Sequence, residues 1–106
     1  MPDNCLRRDS SGRLAFEMYR VSAADYPERC NAVATTFGLK PDDKSFAVGL
    51  DVVFMDYRRG EQVVEMAWDS WTGFSVVAKN AGSKPLVREI AVWLLQSAGD
   101  EGGERA

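Results

Sequence analysis

No histidine occurs anywhere in this 106-residue chain. That removes the side chain that titrates near neutral pH, and with it Ser-His and Cys-His nucleophilic pairs and imidazole metal sites. Cysteine is nearly as scarce: Cys5 lies in a polar opening segment and Cys30 in an expected helix. One possible pair, with no leader-like opening, points to reduced thiols and a cytoplasmic compartment. Long apolar runs are missing too. The longest, around residues 90–95, falls far short of the roughly 18 residues that suggest a membrane span, so no membrane contact is expected. Nor is there a basic excess: 13 Lys and Arg stand against 16 Asp and Glu, a net charge of −3, which makes nucleic acid an unfavoured partner. What is present, 45% hydrophobic and 27% charged residues, is the balance of one globular domain with a real core.

Along the chain, residues 1–12 are polar and aperiodic and read as a flexible head, residues 13–98 as a single domain, and residues 99–106 as a flexible tail. Alternation over 14–21 predicts a strand. Asp25 with Glu28 resembles a capping box, Pro27 suits a first helical turn, and Tyr26, Cys30, Val33, Ala34 and Phe37 share one helical face up to Gly38. Residues 40–45 read as a polar loop. Runs at 46–57, 62–68 and 74–79 predict three antiparallel strands. A three-residue turn Arg58-Arg59-Gly60 closing on a bulge would set Phe54 opposite Val64 and Leu50 opposite Trp68. Ser83 and Pro85 then open a helix whose apolar arc includes Leu86, Val87, Ile90, Ala91, Trp93 and Leu94, with Gly99 as its stop. The expected fold is α+β, in the order β-α-β-β-β-α: an antiparallel meander sheet with both helices packed on one face.

That register leaves Val53, Met55, Tyr57, Val63 and Glu65 on the uncovered sheet face, too apolar for a plain solvated surface. Trp71 sits in a turn that needs no large aromatic, and Val92 and Leu95 fall outside the last helix's apolar arc. These eight residues are the candidate partner-binding set. Asp51, Glu65 and Asp69 are candidate carboxylates for a metal or acid/base site. No nucleophile with a nameable base is apparent, and no cofactor motif.

The helix–three strands–helix order over residues 25–98 resembles the double-stranded-RNA-binding domain, as does Gly82-Ser83-Lys84 followed by Ala91 and Leu94. The resemblance implies phosphate contacts from the start of the last helix, here Lys84 and Arg88 with Lys79 nearby. Pro85 stands where that family carries a second lysine. The expected function is a non-catalytic module that binds a protein, with a homodimer as one form. RNA binding and a carboxylate enzyme are the alternatives.

Overall fold

The computed structural model describes residues 4–8 and 12–105, and the side chains of Leu6–Arg8 and residues 12–96 within them. Residues 1–3 and 9–11 of the expected head, the side chain of Cys5, and Ala106 lie outside what is described. Among the described residues, six strands, β1 (Asn4–Arg8), β2 (Leu14–Met18), β3 (Lys40–Val48), β4 (Val52–Arg59), β5 (Gln62–Asp69) and β6 (Gly73–Ala78), form one antiparallel sheet in the order β1-β2-β6-β5-β4-β3. Helix α1 (Tyr26–Phe37) carries the chain from β2 to the far edge. The meander β3 to β6 then returns until β6 pairs with β2. Helix α2 (Lys84–Arg105) follows.

The fold is therefore α+β with an antiparallel sheet, as expected, but with two strands more. Residues 4–8, read as part of the head, pair with β2, Leu6 opposite Phe16. Residues 40–45, read as a polar loop, belong to β3, where Lys40 pairs with Arg58 and Pro41 with Tyr57. Both are edge strands, where charged residues and Pro41 blunt the open side, so an apolar alternation does not mark them. The run 46–57 is also not one strand: it breaks at Gly49-Leu50-Asp51, where Gly49 N–H donates to Val52 O at 2.7 Å. Helix α2 continues past Gly99 to Arg105.

The hairpin register differs as well. Arg59 pairs with Gln62, so the turn is the two residues Gly60-Glu61, and Phe54 faces Ala67, Met55 faces Met66 and Tyr57 faces Val64. Gly60, at φ +61°, takes the first central position of a type II′ turn rather than closing a bulge. One glycine with positive φ serves either loop, so the choice rests on which residues face the helices.

Helix termini follow local chemistry with two exceptions. Gly38, at φ +67°, ends α1, and Leu39 N–H donates to Ala34 O at 2.9 Å, the Schellman closure. Asp25 makes no capping bond; its carboxylate accepts from Ser22 Oγ instead. Ser83 does not cap α2. Fully buried, it accepts from Val63 N–H at 2.7 Å and donates to Asn80 Oδ1, tying the turn before α2 to β5.

Both helices lie over one sheet face. Cys30 and Val33 of α1 and Leu86, Val87, Ile90 and Leu94 of α2 form a single cluster with Phe16, Val64, Met66, Phe74 and Val76. Trp68 and Trp93 pack against it. Trp68 Nε1 donates to Val21 O at 2.8 Å, and Trp93 meets Phe37 edge-on at 6.0 Å, joining the helices. Gly73, at φ +70°, lies so close to β2 that an added Cβ would sit 2.3 Å from Met18 O, which fixes the β5–β6 turn against the sheet.

Candidate functional site

The register divides the partner-binding residues. Val53, Met55 and Tyr57 turn toward the helices: Tyr57 is buried, and the other two are partly buried against the core. This corrects their assignment to the open face. The cause is the register, in which odd positions of β4 oppose even positions of β5. Val63 and Glu65 do lie on the open face, but Val63 is buried. Beside them, Ala15, Ala67, Ser75 and Val77 are also buried. The centre of the open face therefore presents little apolar surface.

Charge organises that face instead. Lys79 Nζ lies 3.3 Å from Glu65 Oε1 and 3.6 Å from Asp56 Oδ1, spanning two facing acids of β4 and β5. At the other end Glu17 accepts from Tyr19 Oη at 2.6 Å and pairs with Arg7 at 3.5 Å. Of the candidate carboxylates, Asp69 and Glu65 are engaged in separate interactions. Asp69 accepts from Trp71 N–H, Thr72 N–H and Thr72 Oγ1, all within its own turn, while Glu65 is held by Lys79. Among the described residues no group of His, Cys, Asp and Glu is arranged to hold a metal. Of the RNA set, Lys79 is committed to the acid pair, while Lys84 starts α2 and Arg88 is exposed one turn on from it.

A polar group sits inside the core. Cys30, Tyr26 and Tyr57 are buried in the same core cluster, and Tyr26 Oη donates to Met66 O at 2.7 Å. Burial, first of all, pushes the Cys30 thiol above its ordinary value and raises both phenols well above theirs. The thiol is thus kept neutral, the opposite of what a nucleophile requires.

Exposed apolar surface collects elsewhere. Leu50 is fully exposed at the β3–β4 turn, flanked by Phe46 at 51%, Val48 at 68% and Val52 at 37%, and Trp71 on the β5–β6 turn is exposed at 79%. Ser70 N–H donates to Asp51 O at 3.3 Å, so the two turns form one end of the sheet. Of the residues singled out from sequence, Trp71 belongs to this tip. Val92 and Leu95 also stand exposed, on α2. Phe46, Val48, Leu50 and Val52 were missed, because reading 46–57 as one strand sent them toward the core. The signal that marks them is Gly49 two residues before Asp51, a turn pattern hidden among apolar neighbours. No family model, curated protein or solved structure matches this chain.

Proposed function

We propose that this chain is a non-catalytic interaction module that pairs with a second copy of itself through the apolar tip at the end of β3. The observation that carries the reading is the exposure of Phe46, Val48, Leu50, Val52 and Trp71 on one end of the sheet. Together they offer on the order of 500 Å² of apolar surface, within the roughly 300–600 Å² of a monomer's largest patch, which is often a functional one. That area approaches the roughly 800 Å² per partner of a standard interface.

Strand chemistry favours a second copy. Gly49 and Val52 are hydrogen-bonded, so by alternation the N–H and C=O groups of Val48 point away from β4 at the sheet edge. An antiparallel twofold centred on Ala47 sets Phe46 of one copy opposite Val48 of the other, twice, with no like charges facing. The irregular pairing between Asp42 and Ala47, together with Pro41, keeps the exposed edge short. Asp51 at the tip disfavours an anionic lipid surface as the alternative occupant.

Sedimentation velocity over a concentration series tests this. The expected result is a monomer–dimer equilibrium in the micromolar range that Leu50→Asp with Trp71→Ser abolishes while the melting temperature is kept. Val92→Asp, on the other exposed surface, leaves the dimer intact. A wild-type chain that stays monomeric at high micromolar concentration overturns the proposal.

A further inference from the structure

At the opposite end of β3 from the tip, an open cleft of about 630 Å³ is lined by Gly38, Lys40, Pro41, Asp42, Lys44, Arg58, Arg59 and Gly60. It joins the end of α1, the start of β3 and the β4–β5 turn. Four cations face one acid there, a local excess of positive charge in a chain whose net charge is −3. The guanidinium of Arg59 is fixed from two sides: Nη1 donates to Phe37 O at 3.3 Å, and Nε and Nη2 donate to Gln62 Oε1 at 3.1 and 2.9 Å. The bond to Phe37 O also satisfies a carbonyl at the negative end of α1, which otherwise opposes an anion.

Asp42 orders the other side. Its Oδ1 accepts from Lys44 N–H at 3.2 Å and its Oδ2 lies 3.6 Å from Arg58 Nη2. That single carboxylate does not neutralise the group. Lys40 and Lys44 are exposed, and among the described residues neither side chain has an acidic partner. Lys79, on the open face, is by contrast matched by Glu65 and Asp56. The cleft therefore holds unspent cationic donors beside one hydrogen-bonded guanidinium and one paired with Asp42, an arrangement suited to phosphate oxygens.

We propose that this cleft binds the phosphate groups of a small phosphorylated molecule carrying at least two negative charges, a phosphomonoester or a pyrophosphate. The size of the cleft fits a ligand of that class. A long polyanion is disfavoured because the remainder of the surface carries an acidic excess that repels it. The site is independent of self-association.

The test is a nitrogen-15 amide-shift titration of the full chain with sodium pyrophosphate and with adenosine monophosphate at low ionic strength. A duplex RNA oligomer forms a separate arm. Saturable shifts confined to residues 38–44 and 58–60 are expected. Lys44→Glu weakens binding at least about tenfold, whereas Arg88→Glu, an equal charge change outside the cleft, alters it less than about twofold. Amide spectra of the free variants establish that both remain folded. Shifts that fail to saturate by about 10 mM, or equal losses in the two variants, overturn the proposal. Tighter binding of RNA than of pyrophosphate overturns it in favour of a polyanion.

Discussion

The two halves of the sheet are built to different ends. Across β2, β6 and β5 the side chains Phe16, Val64, Phe74 and Val76 are sealed beneath the helices, and even the residues on the opposite face are buried. Across β3 and the turn into β4, Leu50 is fully exposed and Phe46 and Val48 are at least half-exposed. The first half is richer in apolar residues, but residue type does not distinguish Phe46 and Val48 from the sealed Phe74 and Val76. Their position relative to α1 and α2 does. Stability is concentrated in the first half, and apolar surface available for binding is left in the second.

Substitution should expose the contrast directly. Phe74→Ala empties a fully buried site and is expected to cost about 3–5 kcal/mol, read from urea unfolding. Phe46→Ala, half-exposed at the edge, is expected to cost less than about 1 kcal/mol in the monomer. Comparable losses at both positions would mean that the edge is also part of the core.

Alkaline pH provides a smaller effect confined to the sealed half. Burial raises Cys30 above 9.0 and Tyr26 and Tyr57 above 10.0, their ordinary values. In the unfolded chain these groups lose protons near those ordinary values, while in the folded chain they keep them. The unfolded state thus binds fewer protons at high pH. Their contribution is complete below pH about 9 and falls as pH rises, by up to about 1.4 kcal/mol per pH unit for each group. Tyr57→Phe should make the decline shallower above pH 10; an unchanged slope contradicts the assignment. Smaller still, Lys79→Met leaves Asp56 and Glu65 facing each other without their cation. The expected loss is about 0.5–1 kcal/mol, because the lysine is partly exposed. It should be larger in low salt than in high.

The sealed half was largely legible in the sequence. The periodicity of residues 26–37 and 86–94 marks both helices, and Gly38 marks an end, because burial on one side imposes a repeat that composition reveals. The other half was not. Its register turns on Gly60, which suits two kinds of loop, and maximising the apolar count on one face selected the wrong one. The better signal is electrostatic: only the observed register places Asp56 opposite Glu65, where Lys79 can bridge them. The tip was hidden for a related reason. Phe46, Val48, Leu50 and Val52 resemble core residues by type, and their exposure follows from the reach of α1 and α2, which no local pattern encodes. The cationic cleft was visible only as Arg58 and Arg59 in a turn. Lys40 and Lys44 join them through the pairing of β3 with β4.

Self-association through the tip is tested most directly by a cysteine placed on the proposed twofold axis. In a Cys5→Ser background, Ala47→Cys should form an intermolecular disulfide under mild oxidation, because antiparallel pairing centred on that residue brings its two copies within about 4.5–5.5 Å. Adding Leu50→Asp should prevent the bond. An Ala47→Cys chain that sediments as a dimer yet forms no cross-link at the same concentration would contradict this pairing.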